Sequence, residues 1–147
     1  GETRSALAAE LGATHVVHPD NADELVLDRS NGLGADIVYE CVGAPSTVQT
    51  AVNLARRGGT MCLIGLAHGE VPITPWTWLA KEITVTSALA YLHHEFEQTM
   101  DLIASGRFRV DAIHTSTTRL DGLAPTLEDL ASGHSSQIKV LLNPNWD

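Results

Sequence analysis

Positive charge is scarce in this sequence: nine lysines and arginines stand against eighteen aspartates and glutamates, for a formal net charge of −9 over 147 residues. Without a basic stripe to displace phosphate counterions, neither a nucleic-acid partner nor an acidic membrane surface is expected. Cysteine is nearly missing. Cys41 and Cys62 both fall inside strand-like apolar runs with no C-x-x-C partner. That excludes a disulfide scaffold and argues against a zinc site built on them; two reduced thiols buried on adjacent strands are expected, in a cytoplasmic chain. No stretch approaches the roughly 18 apolar residues of a membrane span. No charged-then-apolar leader opens the sequence, so a secretory signal is not expected either.

A complete dinucleotide fingerprint is missing as well. The stretch "GLGADIVYECVGAP", Gly32 to Pro45, has closely spaced glycines beside an apolar run. Gly32 and Gly34 precede that run, however, and Ile37 holds the place of the third glycine of a G-x-G-x-x-G; the phosphate-binding turn instead follows a strand and opens a helix. "HHEFEQ" likewise falls short of H-E-x-x-H, because Gln98 stands where the second histidine belongs. His93 and His94 suit the surface start of a helix, and the isolated His15, His18, His68, His114 and His134 offer no ligand spacing.

What is present is globular material, 44% apolar, enough for one core and no more than one full domain. Helical and strand patterns alternate without repeats. Thr3 is placed to cap a helix through Leu11 that Gly12 ends, and "THVVHP" reads as a short strand. Asn21 starts a second helix, with Glu24 at capping-box spacing. "DIVYECVG" reads as a strand buried on both faces, because its apolar run is almost unbroken. Ser46 caps a helix whose Val48, Ala51, Val52 and Ala55 keep the spacing of one buried face, with Arg56 and Arg57 in its last turn. "TMCLIGL" is a further strand, followed by a Pro-rich loop carrying Trp76 and Trp78, for which a core or interface role fits better than substrate contact. "ITVTSALA" is another strand. Phe96, Met100 and Ile103 mark a helix ending at Ser105-Gly106; "VDAIHTSTT" reads as a strand, Leu123, Leu127, Leu130 and Ala131 as a helix, and "IKVLLNP" as a last strand. Strands separated by helices predict an α/β fold with a parallel sheet covered on both faces.

In such a sheet ligands sit beyond the carboxyl ends of the strands. Two strands end alike, "YECVG" at Gly43 and "CLIG" at Gly65. A glycine there lets backbone approach a flat ligand closely. Either glycine alone is equally explained by a tight turn; the pair on neighbouring strands points to a cofactor ledge.

The segments "RSALAAELGATHVVHP", "GADIVYECVGAPSTVQTAVNLARRGGTMCLIG", "KEITVTSALAY" and "DLIASGR…IKVLLNP" resemble the C-terminal, nucleotide-binding part of the medium-chain, zinc-dependent alcohol dehydrogenases, in the polyol and butanediol branch. The likeness keeps order and spacing through nearly the whole chain. It implies a partial Rossmann-like parallel sheet over residues 1–90, lacking the first two strands and the glycine fingerprint, which in the family precede the helix at Thr3. Residues 91–147 would be the helices and strands that in the family return toward the catalytic domain.

By position, the resemblance implies that Arg4 lies beside the adenosine ribose, that Val42 and Gly43 line the adenine side, and that Ile64, Gly65 and Leu66 form the wall near the nicotinamide. Ala88, Leu89 and Ala90 would form its other side, although Ser87-Ala88 stands where the family usually has Gly-Ser. Lys139 would reach the pyrophosphate, a role that needs only a point charge; a solvated lysine before an edge strand is the alternative. The implied cofactor is NAD or NADP, the substrate a small alcohol or carbonyl compound, and the assembly a homodimer through the edge strand at 83–89. Zinc, the Lewis acid of the implied hydride transfer, is expected only in the family's N-terminal domain. This piece brings no acid, base or metal ligand, so by itself it is expected to be inactive. A zinc-free quinone or enoyl reductase of the same superfamily shares this half, and a non-catalytic Rossmann-like binding module is the rival from another class. With the first two strands absent, "THVVHP" would lose both neighbours, leaving a gap and an unpaired apolar edge.

Overall fold

The computed structural model describes residues 2–145. The chain divides into two compact units, Val17–Tyr91 and the pair Gly1–Val16 with Leu92–Asp147.

In the Val17–Tyr91 unit, three parallel strands lie side by side in the order of the sequence: β1 (Ala35–Glu40), β2 (Ala55–Leu63) and β3 (Thr84–Ser87). Helix α2 (Ala22–Arg29) precedes β1, α3 (Pro45–Leu54) joins β1 to β2, and α4 (Pro75–Lys81) joins β2 to β3. Pro45 and Pro75 each stand at the start of their helix, where the missing N–H would have had no helical acceptor. The core is small and lies between α3 and one face of the sheet. Val48, Ala51, Val52, Ala55 and Met61 are buried, with Val38, Leu63, Val71, Trp78 and Ile83 packed around them. The spacing that marked Val48, Ala51, Val52 and Ala55 as one face thus picked out four of the five buried apolar residues. Each fully buried Val or Met is worth about 1.5–3 kcal/mol.

The other sheet face is open. Val38 packs on the core and Glu40 is buried, whereas Ile37 and Tyr39, which alternate with them, are 52% and 62% exposed. The expectation of a sheet covered on both faces, with β1 buried on both, is therefore corrected: α3 and α4 pack beside the core-facing side chains, and an apolar run does not by itself supply a second cover. The core thiols are corrected for the same reason, Cys41 being exposed and Cys62 half-buried.

Several local expectations also change. Residues 14–18 form no strand, because a strand exists only where a neighbour completes its hydrogen-bond ladder. Asn21 precedes α2 but makes no side-chain cap. The N-cap of α3 is Ala44 rather than Ser46, and the capping hydroxyl is that of Thr47, which accepts from Ala44 N at 3.3 Å. Arg56 and Arg57 begin β2 instead of ending α3; Arg56 Nε meets Asp36 Oδ1 at 2.5 Å and Arg57 pairs with Glu82. Lys81 of α4 occupies the role expected of them. Its Nζ donates to the carbonyls of Val52, Asn53 and Ala55 at 3.2, 2.5 and 2.6 Å. Trp76 and Trp78 lie on α4, not in a loop, and Trp78 Nε1 donates to Gln49 Oε1 at 3.2 Å, which also accepts from Thr74 N at 2.8 Å.

The second unit contains α1 (Glu2–Glu10), α5 (His93–Ala104), β4 (His114–Thr118), α6 (Leu123–Ala131) and β5 (Lys139–Leu142). Thr3 lies inside α1 rather than capping it, and the first part of the expected strand "VDAIHTSTT" is a 3₁₀ turn at Asp111–Ile113. β4 and β5 pair in parallel as a two-stranded sheet. None of the described residues of this unit is buried.

Candidate functional site

Parallel pairing brings the carboxyl ends of the three strands to one edge. Glu40 stands opposite Leu63, and Leu63 opposite Ser87. The turns leaving these strands therefore begin side by side: Cys41–Ala44 after β1, Ile64–Leu66 after β2, and Ala88–Ala90 after β3. Two main-chain bonds lock the first two turns, since Ile64 N and Gly65 N both donate to Glu40 O at 2.8 Å; Ala88 N donates to Leu63 O at 3.1 Å and ties in the third.

Gly43 and Gly65 meet here. A Cβ on Gly65 would lie 2.1 Å from Gly43 N, and one on Gly43 would lie 2.6 Å from Leu66 N. Gly43 also has φ +72°, a conformation glycine adopts without penalty. Both glycines are thus needed for backbone to pack on backbone, which makes a flat, thin shelf. Around it stand exposed apolar side chains, Val42 at 72% and Leu66 at 64%, with Ile64 and Leu89 also exposed.

Beneath the shelf lies a carboxylate. Glu40, only 4% exposed, accepts from Val42 N at 2.9 Å, Gly43 N at 3.0 Å and Thr47 Oγ1 at 2.8 Å, all at Oε1. Thr47 Oγ1 is equally close to Ala44 O, but its single proton goes preferentially to the charged acceptor. Desolvation raises the carboxyl's pKa, and the bonds from Thr47, Gly43 and Val42 together outweigh it, so the group titrates below the ordinary range and is ionised at neutral pH. Glu40 and Thr47 were not singled out from the sequence. The available signal was the acidic residue closing the apolar run Ile37–Tyr39, since a charge there is tolerated only when its acceptors are filled.

Of the residues expected to bind a cofactor, Val42, Gly43, Ile64, Gly65, Leu66, Ala88, Leu89 and Ala90 follow the three adjacent strand ends. Arg4 and Lys139 belong to the other unit. Arg4, exposed in the first turn of α1, lines a cleft of about 140 Å³ with Thr3, Gly133 and the segment Ser135–Ile138 that leads into Lys139.

The family model described as "Zinc-binding dehydrogenase" matches residues 1–105. The chain belongs to the zinc-binding dehydrogenase family. Among relatives, it is 30% identical to an L-idonate 5-dehydrogenase of Vitis vinifera over 97% of this chain and 40% of that protein. The 2R,3R-butanediol dehydrogenase of Bacillus subtilis superposes with a TM-score of 0.85 at 27% identity, over 99% of this chain and 42% of the other. A structure from Sinorhizobium meliloti, solved bound to NADP, superposes with a TM-score of 0.82 at 28% identity, over 98% and 43%. The chain spans about two fifths of the length of these proteins. Among the described residues no three His, Cys, Asp or Glu side chains are grouped to hold a metal. The shelf does fit the flat ring of a nicotinamide coenzyme, as close-packed glycine backbone with apolar side chains at its rim. Among the described residues no helix is long and apolar enough to cross a membrane.

Proposed function

We propose that this chain is the coenzyme-binding part of an NAD- or NADP-dependent oxidoreductase that moves hydride between a small alcohol or polyol and nicotinamide. The observation that carries the reading is the meeting of Gly43 and Gly65 at the carboxyl ends of adjacent parallel strands, where α/β sheets take their ligands. The coenzyme, when bound, supplies the hydride chemistry; this chain's residues hold and orient it. Val42 and Gly43 would line its adenine side, Ile64, Gly65 and Leu66 the nicotinamide wall, and Ala88, Leu89 and Ala90 the opposite side. The relatives support the zinc-type branch, with any metal held outside these residues. Residues 1–90 form the dinucleotide-binding part in this reading and residues 91–147 the segment that returns to a catalytic domain. A homodimer through the edge strand at 83–89 and a cytoplasmic location belong to the same proposal; β3 lies at the sheet margin with all four residues exposed.

The test is coenzyme titration of the protein that contains this chain. Val42→Asp and Leu66→Asp alter exposed positions, so stability should stay within about 0.5 kcal/mol while the NADH or NADPH dissociation constant rises by on the order of tenfold or more. Unchanged affinity in both variants overturns the shelf as the binding site. The 147-residue chain by itself is expected to bind coenzyme weakly or not at all by calorimetry, and a micromolar constant refutes that.

A further inference from the structure

We propose that Glu40 is the positioning residue of the shelf: its buried carboxylate holds the Val42–Gly43 turn and the start of α3 at the height where a flat coenzyme ring meets backbone. This rests on the coenzyme reading above. Glu40 ties both turns, one through its main chain and the other through its side chain. Its main-chain oxygen accepts from Ile64 N and Gly65 N at 2.8 Å, and its side chain accepts from Val42 N, Gly43 N and Thr47 Oγ1 at 2.8–3.0 Å. Oε2 accepts a second bond from Gly43 N at 3.1 Å and lies 2.7 Å from where a Cβ on Gly65 would stand, so the carboxylate also leaves no room for a side chain there. Among the described residues Glu40 is the one buried charged side chain, and no cation is paired with it there. A buried anion held only by amides and a hydroxyl gains little for stability over an apolar residue of similar size. What it adds is geometry, because its two oxygens draw the N–H groups of Val42 and Gly43 and the hydroxyl of Thr47 to one point.

The test compares Glu40→Gln, Thr47→Val and the double variant in the protein that contains this chain, with NADH and NADPH each titrated by fluorescence. Glu40→Gln turns an N–H donor toward Gly43 N, so the coenzyme dissociation constant and KM should rise together by on the order of tenfold, with kcat changed by less than about twofold. Thr47→Val should give a smaller rise, and the double variant no more than Glu40→Gln alone, because both act through one network. A lowered melting temperature with unchanged dissociation constants would leave Glu40 a purely structural residue and overturn the proposal. Should Glu40→Gln not fold, Thr47→Val decides: folded protein with unchanged affinity overturns it. If the unaltered protein binds neither coenzyme, the functional reading falls and takes this inference with it; if it binds and the variants match it, only this inference falls.

Discussion

At Gly65 there is no room for a side chain, because the nearest atoms to an added Cβ are Gly43 N and Glu40 Oε2, neither of which can yield cheaply. Gly65→Ala is therefore expected to cost about 1–3 kcal/mol by overpacking, measured as a lowered urea midpoint. Gly69 makes the contrast. It has φ +88° with nothing within 4 Å of an added Cβ, so Gly69→Ala carries backbone strain alone, about 1 kcal/mol. Glu40 adds a pH dependence whose sign follows from its environment. Its folded pKa lies below the ordinary 4.5, so its contribution to stability is complete above about pH 4.5 and is lost as pH falls through the lower folded value. Acid titration of the melting temperature should show a steeper acid limb in the unaltered protein than in Glu40→Gln. The glycines were legible in the sequence as strand-end glycines; that they face each other, and that a carboxylate lies under them, required the register of β1 on β2.

At the scale of elements, α3 shows how a sequence reading can find the right device and assign it to the wrong residue. Helix carbonyl ends favour a cation, and Arg56 and Arg57 follow α3 directly in the chain. They continue instead into β2 and form exposed pairs with Asp36 and Glu82, which salt screens. The cation at the end of α3 is Lys81, from the next helix. Lys81→Met leaves the part-buried carbonyls of Val52 and Ala55 without their donor, and a loss of about 1–3 kcal/mol is expected, seen as a lower urea midpoint with unchanged slope. Desolvation lowers the pKa of Lys81, and the nearby charge of Asp23 offsets part of that. The segment 14–18 makes the complementary point: its β-branched valines suit a strand, but no neighbour completes a ladder.

Across the whole molecule, burial is concentrated in one of the two units. All buried residues among those described lie in Val17–Tyr91, whereas β4 and β5 form a two-stranded sheet, an arrangement of marginal stability by itself. Hydrogen exchange of the 147-residue chain should accordingly show slow amides in α3, β1 and β2 and fast exchange in β4 and β5; comparable protection in both units would contradict this. The open sheet face makes a chemical prediction too. Cys41, exposed at the end of β1, should alkylate under native conditions, and half-buried Cys62 more slowly. Equal rates for the two thiols, followed by mass spectrometry, would count against that surface being open.

Legible in the sequence were the alternation of helices and strands, the buried face of α3 and the two strand-end glycines, because each depends on local periodicity or on short spacing; the family was legible through the resemblance of whole segments in their order. The tertiary structure decided which apolar runs pair as strands, which sheet face is covered, which cation closes α3, and that Glu40 lies buried beneath Gly43 and Gly65. Those outcomes depend on neighbours distant in sequence: a ladder needs a second strand, a buried charge needs donors, and a side chain's role is set by whatever the fold places opposite it.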